Sequence, residues 1–541
     1  MVMAAEVTIN DVLDGHVVLD LECMDRIYLN GYVPNLQVGG QVVSFMTAHL
    51  GCPIPSPAII EKMGTAFRKA VDRFAVDNTI PVVRFGRDDR KIDMMRPYLA
   101  GQARTGHCGV AAIGIAQEFQ NVFVSAKHKG DNGVPWFSFD KADRRVTCFY
   151  FYVWDIDFGP AFIKICTYFP YPIKVWINGH EYAKRQAAQA GIGFTELFNG
   201  FASCADPAAL QAICDRLGPG RIKVFFERWM SRLPLPLTEA DRTAGYWWEL
   251  SMRQVEISRT LVFDAPRHAR GFFEALVADN LDIGRPDSVE LLFHGPRHLG
   301  RPVKLDCVPR TRVVTRGTEV TVNAFYKSSR IKQYLKDGRA LRIETVVNSP
   351  DDLRCHRRLV HLDELAARGR AVNRRLLDTE RVGQGCVLAS PAFARIARPT
   401  LTEDGRKTPA LRFGDLRVQA LAGALCTTML AVTGITNKSL RALMTWLLDG
   451  TAYTINQASY DLARLRVNGL ITRIPGRNLY RLTGDGLRFA IFYTKLYNRL
   501  LCPLMAANQP PAPPPLRNAL RTIETHINER IDNARILPRA G

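Results

Sequence analysis

Stretches of alternating apolar and polar residues give way to stretches of helical spacing along the chain, and the changes between them mark the expected elements. His16-Val17-Val18-Leu19-Asp20-Leu21-Glu22 alternates like a strand. Prolines at 53, 55 and 57 follow, then helical spacing over 59–74 and a second strand over 80–85. Residues 109–115 read as a buried strand feeding a helix near Gln117 and Glu118. Residues 146–177 are the most aromatic part of the chain, with breaks at Gly159-Pro160 and around Pro170 and Pro172, which predicts a hairpin or meander of long strands. Asn178-Gly179 reads as a turn before a helix over 181–189. Residues 206–260 carry helical spacing through Leu210, Ile213, Phe225, Trp229, Leu250 and Val255. Beyond them the pattern predicts a helix over 271–280, strands over 288–293, 311–314, 320–326 and 341–347, and a closing helix over 362–377. No sequence repeat is visible.

The C-terminal pattern is the most specific. Leu440, Leu443, Met444 and Leu447 predict a helix over 437–448, with Asn437 as its cap. Thr454 followed three residues later by Gln457 is a capping box, opening a helix whose apolar stripe is Ala458, Leu462, Leu465 and Val467. Gly469 stops it, and strands over 470–474 and 479–482 flank a turn at Pro475-Gly476. Helix, helix and hairpin in this order read as a winged helix. Asn456, Gln457, Ser459, Tyr460, Arg464 and Arg466 on the second helix, with Arg473, Arg477 and Arg481 on the hairpin, are the expected nucleic-acid contacts. The stretch Tyr460-Asp461-Leu462-Ala463-Arg464-Leu465-Arg466-Val467-Asn468-Gly469-Leu470-Ile471 resembles the recognition helix and following strand of MarR-type bacterial winged-helix domains, which implies a DNA-binding module. Winged helices also serve as protein contacts and sometimes bind RNA.

Charge supports the same partner. The chain of 541 residues has 72 Lys+Arg, 52 Asp+Glu and a net charge of +20. Residues 1–300 hold 32 basic and 33 acidic residues, whereas 301–541 hold 40 and 19. An excess confined to one half points to a polyanion such as DNA or structured RNA. Lys327, Arg330, Lys332, Lys336, Arg339 and Arg342 fall within 16 positions and are further candidate contacts, as are Lys184 and Arg185. The 12 cysteines are scattered singly with no C-x-x-C pair, so a reducing compartment and no structural zinc are expected. An acidic N-terminus and the lack of any apolar run of bilayer length lead us to expect a cytoplasmic protein without membrane contact.

The near-neutral half holds the candidate chemistry. Asp20 and Glu22 alternate on the first strand, Asp155 and Asp157 repeat the spacing, and Glu118 lies between them. Such carboxylates would hold Mg²⁺ in an RNase H-like nuclease. No other cofactor is expected. Phe325-Tyr326-Lys327, followed by Leu341-Arg342-Ile343-Glu344, is similar to strands of phage and plasmid replication initiators, but no His-x-His pair accompanies it. The whole chain also resembles a bacterial protein family, on Leu21-Glu22-Cys23-Met24-Asp25-Arg26-Ile27-Tyr28-Leu29-Asn30, Asn178-Gly179-His180-Glu181-Tyr182-Ala183-Lys184-Arg185-Gln186 and Arg330-Ile331-Lys332-Gln333-Tyr334-Leu335-Lys336-Asp337-Gly338-Arg339-Ala340-Leu341-Arg342-Ile343-Glu344-Thr345. That resemblance implies a bacterial context and carries no activity over.

The expected fold class is α/β and α+β multidomain. It comprises a mixed α/β domain (1–200), a helical segment (201–260), a basic α+β domain (261–400), a winged-helix domain (401–505), and a proline-rich linker with a final helix (506–541). The function expected is nucleic-acid binding, in a protein of a mobile or replicative element. A Mg²⁺-dependent nuclease and a ligand-sensing transcription regulator are the alternatives. The final helix offers a route to a homo-oligomer.

Overall fold

The computed structural model describes residues 15–130, 135–283, 288–292, 310–316, 319–382, 398–401, 407–427, 434–448 and 451–497, with residues 13, 396 and a few between 518 and 526 besides. The proline-rich segment and most of the expected final helix lie outside the described residues. The described chain is mixed α/β, and no described helix is long and apolar enough to cross a membrane.

One twelve-stranded sheet organises the molecule. Its strands are β1 (Val17–Tyr32), β2 (Val82–Arg84), β3 (Gly109–Lys129), β4 (Pro135–Asp155), β5 (Gly159–Cys166), β6 (Ile173–Asn178), β9 (Glu249–Phe263), β10 (Ser288–Leu292), β11 (Arg310–Arg316), β12 (Glu319–Tyr326), β13 (Ser329–Lys336) and β14 (Ala340–Val347). The short hairpin β7 (Phe194–Glu196) and β8 (Phe201–Cys204) lies outside it. Strands from all three segments 1–200, 201–260 and 261–400 join the sheet, in the order β10-β11-β12-β13-β14-β9-β1-β6-β5-β4-β3-β2. The long helices are α1 (Pro57–Asp77), α2 (Lys91–Thr105), α3 (Gly179–Gln189), α4 (Pro207–Asp215), α5 (Pro219–Met230), α6 (Pro266–Ile283) and α7 (Leu362–Val382).

That order contains a duplication the sequence does not display. In the first half a long strand (β1) is followed by a helix (α1), a short strand (β2), four antiparallel strands (β3–β6) and a helix (α3). The second half repeats the plan with β9, α6, β10, β11–β14 and α7. The lateral orders match strand for strand, and the short strand is parallel to its neighbour in both, β2 to β3 and β10 to β11. The long strands join the halves antiparallel, from Val17–Phe263 to Tyr32–Glu249. Equivalent strands paired antiparallel are related as by a two-fold axis through the sheet, which here passes near the middle of the pairing, beside Met24 and Ile257.

Two expectations change. The helix near Gln117 and Glu118 is strand throughout, because β3 pairs with β4 along nearly its whole length, Gln117 opposite Thr147 and Glu118 opposite Val146. Helical spacing over 206–260 holds for α4 and α5 but fails at 249–263. There Val255, Ile257 and Val262 are buried in β9 between β1 and β14, an environment that favours branched side chains.

The largest core joins Ile27, Leu29, Phe151, Ile163, Val175 and Ile177 of the sheet to Phe67 of α1 and Phe225 and Trp229 of α5. A second packs α6 and α7 on Ile331, Leu341 and Ile343. Asn178 is the cap of α3, its side chain accepting from the backbone N–H groups of His180 (2.9 Å) and Glu181 (3.3 Å).

The C-terminal unit has its own core, built on Leu421, Leu440, Met444, Leu462, Leu465 and Phe489. Its elements are α8 (Leu416–Leu425), α9 (Asn437–Leu447), α10 (Ile455–Val467), the hairpin β17 (Ile471–Arg473) and β18 (Tyr480–Leu482), and α11 (Gly484–Leu496). A two-stranded ribbon, β15 (Thr400–Leu401) and β16 (Lys407–Thr408), precedes them. Helix α11 packs against α6 and α7, which fixes the unit beside the second half of the sheet.

Candidate nucleic-acid interface

Two surfaces gather cations. The first is one face of the large sheet. Cross-strand partners place Gln254, Tyr28, Trp176, Phe162 and Tyr152 in a row across five strands, and partners in register share a face. Lys174, Lys164 and Tyr150 form the next row. Alternation along β9 puts Glu256 and Ser258 on the face of Gln254, and Glu344 pairs with Ser258 and Lys332. Helix α2 covers one end, with Met95 packed against Tyr150 and Tyr152. The loop before β8 covers the other, where the Asn199 carbonyl accepts from Lys336 and, at 2.6 Å, from Arg342.

Between these covers Tyr28, Phe162, Lys174 and Trp176 are half-buried, and Arg253 is exposed. The rings of Phe162 and Trp176 stack at 5.9 Å and 7°. Lys174 Nζ and the Arg253 guanidinium lie 5.8 and 5.3 Å from the Tyr28 ring. Among the described residues, no carboxylate lies within 4.0 Å of Lys174, Arg253 or Arg330.

Close to the two-fold axis the same face holds Asp25, Glu256 and Glu344, all buried, with carboxylate oxygens within 4.8 Å of one another. Burial raises the Glu256 carboxyl above its ordinary range, and Glu344 and Asp25 add to the rise against the opposing pull of Lys332 and Arg26. Each acid has a cation: Arg342 at 3.4 Å from Asp25, Arg26 at 3.8 Å from Glu256, and Lys332 at 3.3 Å from Glu344. Tyr334 donates to Glu344 (2.7 Å) and Asn199 to Asp25 (2.6 Å). Three carboxylates facing three cations are already neutralised, which disfavours adding a divalent ion.

Of the carboxylates expected to be catalytic, Glu118 borders this face through Lys164 and Tyr150, Asp20 and Glu22 line a separate cleft, and Asp155 and Asp157 share Arg228. Asp20 is clasped by Arg259 (3.0 and 2.7 Å), and Glu22 by Arg374 (2.6 Å). Asp155 accepts from Arg228 (2.9 Å), Trp229 (2.9 Å) and the backbone of Asp157 and Phe158, while Asp157 takes the other Arg228 nitrogen at 2.7 Å. Glu118 is held by Lys91, Lys164 and, at 2.6 Å, Tyr150. Burial pushes the Glu118 carboxyl up, but these three donors outweigh it and hold it at about 2. Four separate sets of ion pairs absorb the five residues. Among the described residues the groups able to converge on one ion are Asp25–Glu256–Glu344 and His16–Asp264–His268.

Several expected cation contacts are interior supports. Lys184 is buried against Glu181 (2.9 Å) and Glu196 (2.7 Å), and Arg185 lies 4.3 Å over the Trp154 ring. Arg339 donates to the carbonyls of Phe263 and Asp264. Lys336 and Arg342 are buried, and burial followed by the charge of Arg342 lowers the Lys336 amine to about 8. Lys332 is ion-paired. Arg330 is half-buried and Lys327 exposed, its Nζ 5.2 Å over the Tyr326 ring.

The second surface belongs to the C-terminal unit. Thr454 accepts from Gln457 N (3.3 Å), and Gln457 Oε1 accepts from Thr454 N (2.8 Å), so Gln457 is occupied in capping α10. Asn456, Ser459, Tyr460 and Arg466 are exposed and, at 3.6 residues per turn, fall within about a third of the circumference of α10. Ser459 Oγ also accepts from Asn437 at 2.9 Å. Arg464 is buried, holding the carbonyls of Pro409 (3.0 Å) and Ala410. Arg473, Arg477 and Arg481 are exposed on the hairpin, though Arg473 donates to Asn478 (2.7 Å) and to the Arg477 carbonyl.

Sequence reading missed Tyr28, Arg253 and the Asp25–Glu256–Glu344 group. The signal present was the i, i+2 spacing of Lys174 with Trp176 and of Phe162 with Lys164, which puts each pair on one face of a strand. Compared with protein-family models, curated proteins and solved structures, the chain gives no match.

Proposed function

We propose that this protein binds nucleic acid, with the C-terminal unit acting as a winged helix whose helix α10 enters a groove of a duplex. The observation that carries the reading is the exposed line Asn456, Ser459, Tyr460 and Arg466 on α10, beside a hairpin bearing three exposed arginines. Polar side chains on one face of a helix reach base edges, and arginines on a neighbouring hairpin reach phosphates. The charge excess of residues 301–541 supplies sequence-independent attraction to the backbone. The accessible sheet face, with its aromatic row and three cations free of carboxylates, suits a second segment of the same polyanion, where rings stack on bases and cations meet phosphates. Magnesium-dependent cleavage is not part of this reading, since the expected carboxylates are dispersed among arginines and lysines.

The test is an electrophoretic mobility assay over a salt series with random duplex DNA and structured RNA. Arg466→Ala should weaken binding and reduce the slope of log K against log salt by about 1. Tyr460→Ala should weaken it with no change of slope. Both variants binding as tightly as the parent would refute the assignment of α10.

A further inference from the structure

Between the hairpin of the C-terminal unit and helix α7 lies a cleft of about 210 Å³. Five arginines line it from three directions: Arg354 follows the 3-10 turn Pro350–Leu353, Arg368 and Arg375 lie two turns apart on α7, and Arg477 and Arg481 come from the hairpin. Tyr326 stands at its wall. Asp352 is the one carboxylate of the lining, and its Oδ2 is taken by the hydroxyls of Ser328 and Ser329, each at 2.6 Å. Arg368 is bound to Glu364 and donates to the carbonyls of Leu353 and Arg354. Among the described residues, no carboxylate lies within 4.0 Å of Arg354, Arg477 or Arg481. Burial, and then the positive charge of Arg481, lower the Arg375 guanidinium from its ordinary value.

Guanidinium groups crowded into a concave site repel one another, and the arrangement is relieved by an anion placed among them. The fork of an arginine matches the oxygens of a phosphate in two parallel hydrogen bonds, which a chloride cannot offer. We infer that this cleft is a phosphate-binding site, built jointly by α7, the turn at Arg354 and the C-terminal hairpin. The ligand is a phosphate group, carried either by a nucleic-acid backbone or by a free polyphosphate. Only the first source rests on the proposed nucleic-acid binding. A phosphate seated here ties the hairpin to α7, so occupancy stiffens the junction between the sheet and the C-terminal unit.

The experiment uses the full chain, with pyrophosphate as the probe and chloride at matched ionic strength as control. Thermal shift and calorimetry should show that pyrophosphate stabilises the parent protein and chloride does not. Arg375→Gln and Arg481→Gln should each weaken pyrophosphate binding at least tenfold, whereas Arg73→Gln, on the exposed side of α1 and outside the cleft lining, should leave it unchanged. Labelling of arginines with phenylglyoxal, read by mass spectrometry on the parent, covers the case in which a variant fails to fold: Arg477 and Arg481 should be protected by pyrophosphate. Displacement of bound DNA by pyrophosphate assigns the phosphate to a backbone, and pyrophosphate binding alongside undisturbed DNA assigns it to a free ligand. No binding of pyrophosphate or DNA that depends on Arg375 or Arg481, together with no protection of Arg477 or Arg481, would overturn the site and leave the reading of α10 standing.

Discussion

Arg342 of β14 reaches Asp25 of β1 at 3.4 Å, across β9 and across the seam between the two halves of the sheet, with both side chains almost wholly buried. The same guanidinium meets Glu344 at 3.4 Å, His180 and, at 3.3 Å, Ser258. Removing it leaves the buried Asp25 without a counter-charge and Glu344 with Lys332 alone. Arg342→Met should therefore lower the free energy of unfolding by about 3–5 kcal/mol, measured by urea denaturation. An unchanged unfolding midpoint combined with weaker nucleic-acid binding would instead make Arg342 a ligand contact.

Glu118 gives a pH-dependent contribution of known sign. Its folded-state pKa of about 2 lies below the ordinary 4.5, so its stabilisation is complete above 4.5 and declines as pH falls toward 2. Glu118→Gln leaves Lys164, which is only 3% exposed, without its carboxylate. The variant should be less stable by about 2 kcal/mol at pH 7. The gap to the parent should close on acidification through that window, as followed by thermal melts.

Arg464 and Arg466 are two residues apart on α10 and should behave oppositely. Arg464→Ala removes donors from the carbonyls of Pro409 and Ala410 and should melt the C-terminal unit early, by about 1–3 kcal/mol. Arg466→Ala should leave the melt within about 0.5 kcal/mol of the parent, as surface changes do. Calorimetry of both variants separates support from contact.

The accessible sheet face makes its own prediction. Lys174→Glu with Arg253→Glu should weaken nucleic-acid binding and its salt dependence, while the melting temperature hardly moves. Equal affinity across 50–200 mM salt, the range over which backbone contacts lose strength, would confine binding to the C-terminal unit.

Local patterns were legible where the signal was local. The helix expected over 437–448 is Asn437–Leu447, and the box of Thr454 and Gln457 forms as read. Its neighbour's cap is Thr436 rather than Asn437, because the Thr436 hydroxyl accepts from Ser439 N at 3.0 Å. Strand β13 was not expected, since Arg330, Lys332 and Lys336 alternate with Ile331, Gln333 and Leu335 in a stretch that reads first as basic surface. The pairing of Cys23 with Ser258 joins residues far apart in sequence, and periodicity carries no information about such partners. For the same reason the candidate cations divided only in three dimensions. Nothing in the sequence distinguishes exposed Arg466 from buried Arg464 except their place on the helical turn.

The duplicated plan also decides how the sheet ends. Its margins are β2, with three residues, and β10, with five, each parallel to a longer neighbour. A stub of this length exposes few unpaired amide and carbonyl groups, and so offers a poor template to a second chain. Duplication has thus placed the first strand of each half at the centre and a strand of no more than five residues at either border, so β2 and β10 themselves leave little backbone for a second chain to pair with.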